Sequence, residues 1–367
     1  MKQVRLGVIG LGYMGGGHIK HLQQHKISRV ELTAVCDHHE ERLARFAPLK
    51  TFRRGEDLIH SGEVDAVLIA TPHFLHTDMA IAALQHGLHV LVEKPISAHK
   101  ADCERLLAAH TNKKLVFSSM FNQRTDPHFL KIRELVQNGE LGERRRINWT
   151  LTTWFRTQAY YAESNWRATW AGEGGGVLIN QGNHQLDLWC WMFGRPQRVR
   201  GFCNLGRYHD IEVEDDVTAW FEYANGATGV LITSTGETPG TNRLEIVGDR
   251  GKLLMEHDQL AFTQNEGSMS EFSRTNPVAN ARPAATTHQL PIHGRGGQHA
   301  AVLQNFIDAI LDGVPLIAPA EEGIHSVELA NAILFSSFLE KTVELPLDGV
   351  AYERHLNQLI ANSKRKP

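Results

Sequence analysis

Val4-Arg5-Leu6-Gly7-Val8-Ile9-Gly10-Leu11-Gly12-Tyr13-Met14-Gly15 decides the fold. The first six residues form an apolar, β-branched run that reads as a buried strand. The next six are a glycine turn that opens a helix. Glycines at these spacings allow a tight turn, let the backbone approach a pyrophosphate and let the helix pack closely on the strand. Such a run is weak evidence alone. It gains force here because Asp37 stands about 20 residues beyond Gly15, at the end of the second β-branched run. An acid there hydrogen-bonds ribose hydroxyls and repels a 2′-phosphate, so the implied dinucleotide is NAD rather than NADP, a preference that nearby Arg42 softens. Gly10, Gly12, Tyr13, Met14, Gly15, Asp37 and Arg42 are the expected contacts.

Outward from this turn, strands are expected at residues 4–9, 30–36, 64–69, 89–92 and 115–118, separated by amphipathic segments. That alternation predicts an α/β domain over residues 1–121, a doubly wound parallel Rossmann sheet. Thr77 is expected to cap a helix that buries Met79, Ala82 and Ala83 and stops at Gly87. Beyond Phe121 strands succeed one another directly, at 146–154, 198–204, 217–223, 228–233, 243–247 and 252–256. Asn225-Gly226 and Asp249-Arg250-Gly251 read as hairpin turns. Residues 122–367 are therefore expected to form an α+β domain with an open, mainly antiparallel sheet, the C-terminal helices packing back on the first domain. The polar stretch 267–295 reads as a long loop.

The chain has 367 residues, 42% hydrophobic and 22% charged, enough apolar surface for two cores. A formal net charge of -3 offers nucleic acid no attraction, and the one basic run, Lys364-Arg365-Lys366, reads as a solvated tail. Cys36, Cys103, Cys190 and Cys203 show no Cys-x-x-Cys spacing, which argues for free thiols rather than a zinc or dithiol site. His18, His21 and His25 share a helical face without carboxylate or cysteine partners, so a solvated face is expected and no metal. Met1 runs directly into the first strand and no apolar stretch reaches the ~20 residues of a membrane span, so a cytoplasmic protein without membrane contact is expected.

Three further stretches carry a resemblance: Ala70-Thr71-Pro72-His73-Phe74-Leu75-His76, Glu93-Lys94-Pro95, and Gly174-Gly175-Gly176 leading to Asn180 and His184. With them the chain resembles the glucose–fructose oxidoreductase / inositol dehydrogenase / MocA family over its whole length, including the run from residue 297 to 346. The resemblance implies that Ala70, Thr71, Pro72, His73, Leu75 and His76 line the nicotinamide side of the cofactor. It also implies that Glu93 helps to bind the ribose, that Lys94 faces the substrate carbon before a cis proline bond, and that Trp166 and Arg167 border nicotinamide and substrate. A homodimer or homotetramer through the second sheet is implied as well.

Lys94 lies just past the end of a strand, where open α/β sheets bind ligands, and burial beside a cationic ring would lower an amine pKa from its usual ~10.4. Residues 177–193 are expected to form one helix, with Asn180 and His184 on a shared face and His184 assisting proton transfer. The family's usual aspartate is Asn180 here, an amide that orients an imidazole without stabilising its charge. Tyr160, Tyr161, Trp166 and Arg167 suit a polyol site, Asn122 and Arg124 emerge near the same space, and Asp187 reads as structural. The implied activity is hydride transfer to or from a secondary hydroxyl of a sugar, sugar derivative or cyclitol. A redox-neutral lyase or glycosidase and a non-catalytic sugar sensor stay open beside it.

Overall fold

The computed structural model describes residues 3–24 and 26–363. His25 and the basic run at 364–366 lie outside the described residues. Six strands form the first sheet: β1 (Val4–Ile9), β2 (Val30–Cys36), β3 (Lys50–Phe52), β4 (Ala66–Ile69), β5 (His89–Val92) and β6 (Phe117–Ser119). Their order is β3-β2-β1-β4-β5-β6, every pair parallel, so the chain reverses its winding between β1 and β4. Ligands bind above the strand ends at such a reversal, and both the glycine turn after β1 and Lys94 after β5 are placed there. The sheet is apolar on both faces because helices cover both.

The helix Tyr13–Gln23 begins directly after the glycine turn. At Gly15 a Cβ would stand 1.8 Å from the Gly10 carbonyl oxygen, so only glycine lets the helix start this close to the strand. The helix after β4 spans Phe74–Gln85 and starts three residues before the expected Thr77 cap. Thr77 is instead fully buried, its hydroxyl 2.6 Å from that of Ser97.

The second sheet has nine strands: β7 (Arg144–Leu151), β8 (Arg198–Leu205), β9 (Glu214–Glu222), β10 (Thr228–Ser234), β11 (Asn242–Gly248), β12 (Gly251–Glu256), β13 (Gln259–Asn265), β14 (Ala285–Leu290) and β15 (Val343–Glu344). The order is β14-β13-β12-β11-β7-β10-β9-β8-β15, antiparallel except for the central pair β7–β10. Both expected hairpins form, β9–β10 around Asn225-Gly226 and β11–β12 with Gly248 opposite Gly251. The stretch 267–295 is not a plain loop, since it holds the helix Met269–Thr275 and the edge strand β14.

Alternation along β7 turns Ile147, Trp149 and Leu151 inward. Trp149 stacks on Trp189 at 6.5 Å between centroids, and the Trp189 indole donates to the Tyr223 hydroxyl at 2.6 Å. These contacts lay the helix Asn183–Phe193 on the sheet and point its N-terminal end at the first domain. The helix Gln298–Asp312 returns to the first domain, where Val302, Leu303, Phe306 and Ile307 share a core with Val4, Leu6 and Val8 of β1. Among the described residues all four cysteines are free thiols, and no helix is long and apolar enough to cross a membrane.

Candidate functional site

Nothing caps the first turn of the helix Tyr13–Gln23 with a side chain, so its leading backbone N–H groups are open to an anion. A Cβ at Gly12 would meet no atom within 4 Å. Leu11, Gly12, Tyr13, Gly16, Arg42, Arg45 and Phe46 line a cavity of about 330 Å³ beside this turn. Asp37 is buried behind two of these residues, accepting from the Leu11 amide at 2.8 Å, the His39 amide at 2.9 Å and the Arg42 guanidinium at 3.2 Å. Burial pushes its carboxyl upward, but these donors outweigh it and hold the group below the usual range, so it stays anionic at neutral pH. Further along the strand ends, the Thr71 hydroxyl and the Asn122 Oδ1 are buried without partners. An open helix start, an empty cradle at Gly12 and orphaned polar atoms along the same edge fit an extended dinucleotide. Replacing Gly12 with alanine is expected to weaken NAD binding at least tenfold, the worth of about 1.4 kcal/mol. Its loss of capping preference costs the fold only about 1 kcal/mol or less. Cofactor titration beside a urea melt separates the two.

Glu93 is buried, with one oxygen 2.6 Å from His18 Nε2 and the other accepting from the Lys94 amide at 3.2 Å. Burial opposes its charge, yet the His18 hydrogen bond prevails and sets the carboxyl to about 2. His18 therefore departs from the solvated face expected of it, because its helix turns that edge toward β5. The Lys94–Pro95 bond is cis. Lys94 Nζ donates to the Asn180 carbonyl at 3.0 Å. Burial draws this amine below the usual lysine range, Glu93 and Glu173 pull against that, and Arg167 and Arg156 reinforce it.

Asn180 and His184 do not share a helix. The segment 177–182 is a turn closed by the Gly182 amide on the Val177 carbonyl, and the helix begins at Asn183. Asn180 turns its amide away from the imidazole and donates to Glu173. His184 Nδ1 is buried without a partner, and its ring meets Phe121 edge-on at 6.2 Å. Burial, aided by the Lys94 charge, lowers its pKa well below the usual value, so the ring is neutral.

Glu173 was not legible beforehand. Standing just before Gly174, it is buried and holds three site segments together: its carboxylate accepts from the Ala168 amide at 2.7 Å and from Asn180, and its carbonyl oxygen lies 3.1 Å from His73 Nδ1. Burial raises its carboxyl to about 7. The only sequence signal was an acid adjoining a glycine run. Glu214 braces the run from the other side, accepting from the Gly176 and Leu178 amides at 2.8 and 3.0 Å. A Cβ at Gly176 would lie 2.0 Å from the Glu214 carbonyl oxygen, so this position admits only glycine.

His73 meets Trp166 edge-on at 5.7 Å, and burial drives its pKa down to about 3. His76 spans the Thr71 and Pro95 carbonyls at 2.8 and 2.7 Å, tying two strand ends together, while Leu75 is half exposed. Tyr160 accepts from Arg167 at 2.7 Å and from Gln181 at 3.2 Å. Two expected site residues are committed elsewhere. Tyr161 is buried, its hydroxyl 2.8 Å from that of Thr235. Arg124 is buried on Asp187 at 2.6 Å and on Glu322, so its charge is spent within the helix packing.

Residues 4–121 match the oxidoreductase family with an NAD-binding Rossmann fold, and residues 129–254 match the GFO/IDH/MocA C-terminal domain. The rhizopine catabolism protein MocA of Rhizobium meliloti is 30% identical over 90% of this chain and 94% of its own length. Myo-inositol 2-dehydrogenase of Thermotoga maritima is 26% identical over 69% of this chain and 75% of its own. The WlbA dehydrogenase of Bordetella pertussis, solved with NADH and UDP-GlcNAcA, superposes with a TM-score of 0.79 at 25% identity, covering 95% of this chain and all of that one. Fold, turn chemistry and kinship agree, and the chain belongs to the GFO/IDH/MocA family of NAD(P)-dependent oxidoreductases.

Proposed function

We propose that the chain is an NAD-dependent dehydrogenase acting on a secondary hydroxyl or ketone of a sugar, sugar derivative or cyclitol, with Lys94 moving the hydroxyl proton. The observation that carries this reading is the Lys94 amine, partly buried at the end of β5, hydrogen-bonded to a neutral carbonyl and weakened as an acid-holding group by its surroundings. NAD, when bound, takes up or returns the hydride. Gly10, Gly12, Tyr13, Met14 and Gly15 would hold its pyrophosphate through backbone N–H groups, and Asp37 its adenosine ribose. Glu93, Asn122 and the segment from Ala70 to His76 would flank the other half. Lys94 Nζ, with a lowered pKa, accepts the alcohol proton more readily than a solvated lysine would. His184, uncharged with a bare Nδ1, offers a second acceptor. Asn180 positions Lys94 through its carbonyl and not the imidazole through its amide.

Subunit association through the open face of the second sheet is part of the same reading, where Phe202 of β8 stands half exposed. A panel of polyols, hexoses, aminosugars and acidic sugars with NAD tests the function. NADH absorbance accompanied by a ketone of two mass units less is the expected result. A product of altered skeleton without NADH points to redox-neutral chemistry, and binding of NAD and sugar without any product points to a sensor.

A further inference from the structure

Beside Lys94 stands a group of cations that the proton chemistry does not use. The Arg156 and Arg167 guanidinium carbons lie 4.9 and 4.6 Å from the centroid of the Tyr160 ring. Arg167 donates to the Tyr160 hydroxyl at 2.7 Å, and Gln181 donates to the same oxygen at 3.2 Å. Gln181 adjoins Asn180, whose carbonyl holds Lys94 Nζ at 3.0 Å, so the group continues directly into the reaction centre. Among the described residues neither guanidinium forms an ion pair, and Arg156 Nε is buried without any partner. Glu173, the acid built into this site, spends its oxygens on the Ala168 amide and on Asn180.

Two like charges held against one ring repel each other, and a buried donor without an acceptor costs free energy. Glu173 acts on Arg167, and Arg156 Nη1 donates to the Phe155 carbonyl at 3.0 Å, but no fixed neighbour accepts from Arg156 Nε. With both lone pairs of Tyr160 engaged, its O–H is left to donate. Arg156, Arg167 and Tyr160 thus present donors beside Lys94, two of them cationic. Such a set matches anionic oxygen and not the mixed donor and acceptor pattern of neutral hydroxyls.

We propose that Arg156, Arg167 and Tyr160 form a receptor for an anionic group of the substrate, which makes the substrate an acidic sugar bearing a carboxylate or phosphate. This rests on the dehydrogenase reading for the word substrate, though the receptor itself does not. The planar forks of the arginines grip two oxygens of the anion, and Tyr160 keeps them spaced for it. The same grip fixes the ring so that one hydroxyl meets Lys94.

Calorimetry on the full chain saturated with NADH tests it. D-glucuronate and D-galacturonate are titrated beside their uronamides, and glucose 6-phosphate and glucose 1-phosphate beside glucose. At least one acid is expected to bind about tenfold or more tighter than its neutral counterpart, the scale of a charge-assisted pair. That ratio should shrink with added salt. Arg156→Met should bring it near one, whereas Arg156→Lys, which keeps the charge without the fork, should fall between. Whichever pair shows the preference tells carboxylate from phosphate. If no acid outbinds its counterpart, or the ratio survives both Arg156→Met and Arg167→Met in variants with native circular dichroism, the receptor is refuted. Turnover separates the two readings. NADH formed from neutral sugars with no acid preference overturns the receptor alone. An acid preference in binding, without NADH from any sugar, upholds the receptor and overturns the dehydrogenase.

Discussion

Replacing Lys94 with methionine is expected to lower turnover by about 10²–10⁴-fold, the usual worth of a positioned acid–base group. Methionine keeps an unbranched side chain one atom shorter and removes the amine. The Asn180 carbonyl loses a donor. Glu93 keeps its His18 bond, which does not involve the Lys94 amine. NAD affinity should therefore stay close to that of the parent, since the glycine turn and Asp37 are untouched. The pH profile supplies the sign. Burial lowers the Lys94 pKa, so the neutral amine that accepts a proton is present above that lowered value and lost below it. Alcohol oxidation should rise with pH through that range in the parent enzyme and lose this limb in the variant. Steady-state kinetics over a pH series, with a cofactor titration, checks both. Turnover within about tenfold of the parent would move the proton chemistry to His184.

Much of this arrangement was legible because short, strongly apolar strands end in glycine, proline or acid. β1, β2 and β5 appear where their β-branched runs stand, and Lys94 lies beyond β5 as the strand end requires. β3 escaped because Lys50–Phe52 has only three residues, mostly exposed, with no apolar repeat. β14 escaped for a related reason: Ala-Thr-Thr-His-Gln-Leu is polar and exposed, and only pairing with β13 makes it a strand. At Thr77 a residue type that favours caps was recruited into the core by Ser97.

The site was legible in its parts and not in its wiring. Asn180 and His184 were separated by Gly182, which closes a turn and delays the helix. The acid of this site, Glu173, is reached through the Asn180 amide, and no periodicity connects residues 173, 180 and 94. Contacts such as Lys94 to Asn180 and His73 to Glu173 are set by how the two domains meet. Arg124 shows the same limit. Its position suggested substrate, and only the folded chain shows the acids that claim it.

Those acids give the largest expected effect on stability. Asp187→Ala should destabilise the protein by about 3–5 kcal/mol, because it strands a buried guanidinium and does more than delete a contact. Arg124 and Asp187 side chains are each 2% exposed, so solvent cannot take over the lost partner. Two nitrogens of Arg124 reach the two Asp187 oxygens at 2.9 and 2.6 Å. Glu322 remains as a partner but is nearly half exposed, and its helix Ala320–Phe338 is joined to the helix Asn183–Phe193 partly through this arginine. Burial raises the Asp187 pKa while Arg124 draws it back, a balance in which neither charge is stable alone. Removing both should therefore hurt less than removing one. Arg124→Met with Asp187→Leu is expected to recover a large part of the loss, since an apolar pair of similar volume escapes the desolvation penalty. Urea midpoints of the two single variants and the double variant make the test, and a double variant no better than Asp187→Ala would mean that the pair's worth lies in packing and not in charge. Because the pair stands outside the reaction centre, surviving folded Asp187→Ala should turn over at near the parent rate, which distinguishes a structural arginine from one that touches substrate.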